Sequence, residues 1–387
     1  MMSITNLCHK RLLAVVALLI LGAVASSLAL LIPPPVDAPA TLDGLVAPRG
    51  LTALGNAELI VAEGGAGRLL RWDLDGDPDV VSAEFPFLAQ SRIAGESASG
   101  ISAALQTADG TYFAIVGEAR AKGHQELYRL DPSGELAHVT RNDVLSTLPP
   151  LPIMNPYDLV QAANGDLLVT DSGRNAILRI SQEGRIVDYV TFEPREDTGD
   201  GPLDIVPTGA AWGPDGALYV ASLTGWPHPP GAALVYRIVD ANGDGDAQDD
   251  GEVSVYADAF TAATDIAFDA DGALLVTEFS TRMAELVVDL TAAHAAELSG
   301  RLVRRALDGT TEVLADNLVG PTAVTVVSNR IFVSEEFAGR VVEIDPSPAA
   351  RSGVRWLLVA LAGLGTIATA GGALWWLTGR TSQGGGE

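Results

Sequence analysis

Apolar residues fall in short runs along most of this chain, and each run is closed by a Gly, Asn or Asp signal before the next begins. NPYDLVQAANGDLLVTDSGRNAILRI starts at Asn155, VPTGAAWGPDGALYVASLTG at Val206 and TDIAFDADGALLVTEFS at Thr264. PTAVTVVSNRIFVSEEFAGRVVEI follows from Pro321, and two related units begin upstream at Ala47 and Ser99. Runs rich in apolar and β-branched residues between turn signals predict strands rather than helices. Pairs such as Asn164-Gly165, Asp215-Gly216 and Asp271-Gly272 predict hairpins. Six units recur at roughly 50 to 57 residues, the period of a propeller blade. One four-stranded unit cannot bury both its faces, so the units must stack around an axis.

The pattern also predicts how the ring closes. Asp43-Gly44-Leu45-Val46 repeats Asp316-Asn317-Leu318-Val319, which precedes the inner strand of the sixth unit. That sixth unit stops near Asp345 without an outer strand of its own. The segment from Thr41 to Val46 is expected to supply it and so remove an exposed edge. The fold class is therefore all-β: a six-bladed β-propeller over residues 37–346. LTAAHAAEL, Leu290 to Leu298, reads as a short helix inserted between blade strands.

Two longer apolar stretches flank this pattern. Leu12 to Ile32 is free of charge and follows His9, Lys10 and Arg11; Trp356 to Leu377 lies between Arg355 and Arg380, with Trp356, Trp375 and Trp376 near its ends. A span needs about 20 apolar residues, and Trp favours the interface. The expected organisation is a cytoplasmic start and signal anchor or signal peptide over 1–36, the propeller, a linker over 347–355, a transmembrane helix over 356–377 and a tail over 378–387. Basic residues stay in the cytoplasm, which places the propeller outside it, at the cell membrane.

Composition adds exclusions. The 387 residues carry a formal charge of −25, which repels phosphate backbones and argues against a nucleic-acid partner. The single cysteine, Cys8, allows no intrachain disulfide and no Cys-based zinc site. The five histidines show no metal-ligand spacing, and no Gly-x-Ser-x-Gly elbow is present. The remaining partners are the membrane and a protein or small molecule at the loop face.

The segments VPTGAAWGPDGALYVASLTGWPHPPGAALVYRI (from Val206), YADAFTAATDIAFDADGALLVTEFS (from Tyr256) and GRLVRRALDGT (from Gly300) resemble the bacterial ScyD/ScyE family of NHL-like propellers. The resemblance covers roughly Leu45 to Pro346, and the WPHPPGA insertion, Trp226 to Ala232, is its most distinctive part. It implies the fold and brings no agreed set of catalytic residues.

Two constellations could carry chemistry. DANGDGDAQDDGE spans Asp240 to Glu252 and places Asp240, Asn242, Asp244, Asp246 and Gln248 at the spacing of an EF-hand calcium loop. Its twelfth position is Gly251, so Asp250 or Glu252 would have to complete the set. A structural Ca2+ is expected there; a solvated acidic turn is the alternative. The second constellation is acidic residues at repeated places: Glu63, Glu118, Asp171, Glu278 and Glu335 end the second strands, with Ser222 as the exception, and Asp158 and Asp265 begin inner ones. In a propeller such ends tend to gather at one mouth of the axial channel, where they would hold a metal or cationic ligand. The competing reading is that they serve the repeat itself. The expected function is a non-catalytic ligand- or protein-binding scaffold; the alternative is a metal-dependent lactonase, hydrolase or sugar-dehydrogenase-like enzyme using the axial carboxylates.

Overall fold

The structure, a computed structural model, describes residues 41–87, 100–117, 126–139, 153–181, 183–196, 201–288 and 292–345. Six four-stranded antiparallel sheets form the blades, five of them with their strands in sequence order from the axis outward. Blade 1 is Pro48–Leu54, Glu58–Glu63, Arg68–Trp72 and Asp79–Ser82; blade 2 is Gly100–Gln106, Tyr112–Gly117, Glu126–Leu130 and Leu136–His138. Blade 3 is Pro156–Gln161, Leu167–Asp171, Ala176–Ile180 and Ile186–Thr191; blade 4 is Pro207–Trp212, Leu218–Ser222, Ala233–Ile238 and Val253–Phe260. Blade 5 is Ala263–Phe268, Leu274–Glu278, Gly300–Arg305 and Thr311–Leu318.

Blade 6 takes Pro321–Val327, Arg330–Glu335 and Arg340–Ile344 from the end of the domain and Thr41–Leu42 from its start. Thr41 pairs with Val342 and Leu42 with Val341. The closing strand is thus shorter than the expected Thr41 to Val46. Asp43 onward bends away, at Gly44 with φ 78°, and becomes the approach to blade 1. Both apolar flanks, Leu12 to Ile32 and Trp356 to Leu377, lie outside the described residues, among which no helix is long and apolar enough to cross a membrane.

A blade is sandwiched between two others, so its second strand is buried on both sides. Leu167–Asp171, Leu218–Ser222 and Leu274–Glu278 are buried at every position. That is why these strands read as continuous apolar runs instead of alternating ones. Six apolar clusters fill the six junctions between blades. The junction that closes the ring holds Leu42, Leu59, Trp72, Phe332 and Val341, with Trp72 edge-on to Phe332 at 6.0 Å.

Hydroxyl groups clasp the inner strands to one another. Thr208 donates to the Ala263 carbonyl at 2.9 Å, Thr264 to Pro321 at 2.9 Å and Thr322 to Pro48 at 3.2 Å. Ser102 does the same to Pro156 at 3.2 Å. Each hydroxyl serves the first carbonyl of the next inner strand, so the repeat is stitched as well as packed.

Antiparallel order sorts the connections onto two faces. Turns from inner to second strand and from third to outer strand share one face, and this includes 240–252. Connections from second to third strand, and from one blade to the next, share the other. On that second face stand the Trp226–Ala232 segment and a two-stranded ribbon, Arg195–Glu196 with Pro202–Leu203. So do two short helices, Met283–Leu286 and Ala292–Glu297, where one helix was expected. The hairpin at Asn164-Gly165 differs from a two-residue turn: Gly165 takes φ 88°, and the Ala162 N–H reaches the Asp166 carbonyl at 2.8 Å. That is a three-residue loop with Gly at its left-handed position.

Candidate functional site

Among the described residues the axial channel is lined by inner strands, and the residue at the bulge of each decides its chemistry. In order around the ring these residues are Gly50, Ala103, Asp158, Gly209, Asp265 and Ala323. Asp158 and Asp265 are thus the two carboxylates on this ring. Asp158 accepts from its neighbour Leu159 N–H and, across the junction, from Ala210 N–H, both at 2.8 Å. Asp265 repeats the geometry with Ile266 and Val324, also at 2.8 Å. Each aspartate therefore bolts one blade to the next. Glycine at 209 is needed for this, since a Cβ there would collide with Asp265.

The two carboxylates share a cavity with Arg49, Ser102, Tyr157 and Thr322. Arg49, only 5% exposed, lies over the Tyr157 ring at 5.9 Å, and the Tyr157 hydroxyl donates to the Thr322 carbonyl at 3.3 Å. The cavity measures about 20 Å³, room for one water molecule. Burial pushes the Asp158 carboxyl up to about 6, against the opposing backbone N–H groups of Ala210 and Leu159. Burial and then the Asp158 charge push Asp265 well above the ordinary carboxylate range.

A raised folded-state pKa means the native state binds protons more tightly than the unfolded chain. The pair's contribution to stability is complete below the ordinary Asp value near 4 and is lost as pH rises through 6. Asp158 also has a partly open surface towards the cavity, which screens the effect. We expect the pair to cost on the order of 2 kcal/mol between pH 4 and 8. Melting curves of wild type and Asp158→Asn over that range check it: the variant's slope with pH should be shallower, and parallel curves would refute the coupling.

The acids that end the second strands are used differently. Glu63 is fully buried and accepts from Val46 N–H at 2.7 Å and Arg68 Nε at 2.5 Å. Glu335 accepts from Val319 N–H at 2.7 Å and Arg340 Nε at 2.5 Å. Glu278 accepts from Thr261 N–H at 2.5 Å and from Arg301 Nε. In each case the arginine is the cross-strand neighbour, the first or second residue of the third strand. Asp171 is shorter and gathers the backbone N–H groups of Met154, Asn155, Gly173 and Arg174 at 2.7 to 3.1 Å. Burial nevertheless raises its pKa. In blade 4, Ser222 lacks the reach, and Asn175 takes the Val206 N–H instead at 2.8 Å. These acids pin the approaches to blades 1, 3, 5 and 6. Glu118 lies outside the described residues.

The acidic connection is organised mostly by its own backbone. Asp240 accepts from Gly243 N–H at 2.7 Å and Gly245 N–H at 3.0 Å, and Asp244 accepts from Asp246 N–H at 3.2 Å. Asn242 donates to Asp249 at 2.6 Å, and Asp246 accepts from Gln248 N–H at 3.1 Å. Glu252, 4% exposed, folds back onto Ala241 N–H at 2.8 Å, and Arg179 donates to the Gly245 carbonyl at 2.7 Å. Asp250 has no part in this network. Exposed Asp249 is pushed up in pKa, by desolvation first and then by the charges of Glu252, Asp244, Asp246 and Asp250. Among the described residues no three His, Cys, Asp or Glu side chains converge as a ligand set.

His228 belongs to the opposite face, in the Trp226–Ala232 segment. It takes φ 58°, and burial pushes its imidazole below the ordinary value, against backbone contacts with Thr224 and Leu223. Trp226 beside it is 67% exposed. Sequence reasoning passed over Arg195, which reaches this segment from the blade 3–4 connection and donates from Nη2 to the Ala232 carbonyl at 2.6 Å. Nothing in the spacing of residues 195 and 232 signals that contact.

Neither a protein-family model nor a curated protein sequence matches the chain. Similar solved structures include a protein assigned as a gluconolactonase, 13% identical over 80% of this chain and 93% of that one, with a TM-score of 0.50. The PQQ-bound aldose sugar dehydrogenase of Streptomyces coelicolor is 14% identical over 81% and 99%, also at 0.50. Virginiamycin B lyase from Staphylococcus aureus is 17% identical over 81% and 89%, at 0.47. At these identities the likeness is one of fold, and the fold is a closed six-bladed β-propeller.

Proposed function

We propose that this chain is a membrane-anchored, extracytoplasmic propeller of the ScyD/ScyE kind that binds a small molecule or protein on its loop face and performs no chemistry at its axis. The observation that carries this reading is the size of the axial cavity. A space of about 20 Å³ beside Asp158 and Asp265 admits a water but no substrate. The other described acids of the repeat are committed to backbone N–H groups and arginines. The anchors rest on the two apolar flanks of the sequence.

A second reading keeps the axial pair as the centre of a lactonase, hydrolase or sugar dehydrogenase, and it is favoured by the raised pKa of both carboxylates. The proposal includes calcium in the connection 240–252, supported by the spacing of Asp240, Asn242, Asp244 and Asp246. The purified full-length chain, assayed for lactone hydrolysis and aldose oxidation with and without calcium and PQQ, should show no turnover. Turnover abolished by Asp158→Asn would establish the second reading. Millimolar calcium should raise the melting temperature over a chelated sample; equal melting removes calcium from the proposal. A reporter fused after Asp345 should be active outside the cytoplasm, and cytoplasmic activity alone would overturn the topology.

A further inference from the structure

The loop face carries a second, larger cavity, of about 380 Å³, between the Arg195–Glu196 ribbon and the turn at Pro229–Ala232. Its volume is that of a small-ligand pocket; Leu203, Pro229, Pro230 and Ala232 give it an apolar side, and Arg195 and Glu196 a polar one. The proline walls have no N–H to offer. The turn's own donors are spent: Gly231 N–H on Thr261 Oγ1 at 3.0 Å and Ala232 N–H on the Pro229 carbonyl at 3.1 Å. What remains is Arg195. Its Nη2 is held by the Ala232 carbonyl, which fixes the guanidinium at the wall, while its Nε is buried without a hydrogen-bond partner.

A buried donor left unpaired is costly, so a partner that rearranges the Arg195 guanidinium would be favoured. A fixed guanidinium at the wall of a cavity that also holds apolar residues matches a carboxylate on a compact apolar body. We infer that this cavity binds a small carboxylic acid, its carboxylate paired with Arg195 and its apolar body against Pro229, Pro230 and Leu203. Glu196 at the same cavity opposes the anion and sets the affinity below its maximum.

The inference rests on the reading of the loop face as a binding surface and gives that surface a ligand class. The probe is sodium benzoate, with benzamide as its uncharged counterpart, titrated by calorimetry into the full-length chain in lipid nanodiscs. Benzoate should bind at least tenfold more tightly than benzamide. Arg195→Lys keeps the charge but loses the planar fork, and should weaken benzoate about tenfold. Glu196→Gln leaves the Arg195–Ala232 contact in place and should tighten benzoate severalfold. Equal binding of benzoate and benzamide, no benzoate binding, or indifference to both substitutions overturns the inference. If benzoate fails in a chain that also turns nothing over, only the ligand class falls. Turnover at the axis would remove the scaffold reading and leave this cavity untouched.

Discussion

Deleting residues 40–46 from the full-length chain should lower its melting temperature by about 10 °C. The deletion removes the outer strand of blade 6, with Leu42, which is 6% exposed in the closing cluster. It also removes the Leu45 N–H bond to the Gly339 carbonyl at 2.9 Å and the Val46 N–H bond to Glu63 at 2.7 Å. Burying one Leu is worth about 2 kcal/mol and each hydrogen bond about 1, so the loss approaches 5 kcal/mol once the bared edge at Val341 is included. Leu42→Asp tests the same junction without shortening the chain and should cost more than half as much. An unchanged melting temperature in both variants would mean that the ring closes through blades 1 and 6 packing alone.

Glu278→Ala should be nearly as damaging, at about 3 kcal/mol. The carboxylate is fully buried, and its removal strands the Thr261 N–H and uncouples Arg301. Arg301 is itself 34% exposed, so water screens part of its loss, and the estimate rests mainly on the orphaned backbone group. Glu278→Gln keeps one acceptor and should cost roughly half as much. Thermal melts of the two variants decide it. A Glu278→Ala protein as stable as wild type would show that the approach to blade 5 holds itself without the acid.

The periodic part of the fold was legible because turns and strand lengths are local properties. Asp215-Gly216 and Asp271-Gly272 mark hairpins wherever they occur. Closure was legible for a reason that proved different in detail. The repeat of Asp43-Gly44-Leu45-Val46 in Asp316-Asn317-Leu318-Val319 marks the bend that enters a blade, with Gly44 at φ 78° and Asn317 at φ 58°. Its fourth residue donates to the strand-ending Glu in both copies. The outer strand is the pair of residues just before it.

The acids were easy to align and hard to orient. A side chain on a second strand faces a neighbouring blade, and only the inner strand sees the axis. Periodicity gives the column without giving the direction. One signal did exist in the Gly-Arg pairs at 67–68, 300–301 and 339–340, each arginine standing ready for the acid across the ladder. The Arg195 cavity had no such signal, because its walls come from two insertions that follow no repeat.

The two-residue seam of blade 6 has a mechanical consequence. Thr41 and Val342 sit opposite one another in an antiparallel pair, so the chain enters and leaves the domain at the same end of that ladder. Tension applied between the two chain ends would not shear the rungs together. It would peel them one at a time, the mode in which a β ladder resists least. The seam would therefore yield first and release Leu42 from the closing cluster, while the other five blades, whose strands all follow one another directly, would carry none of the load until it had opened.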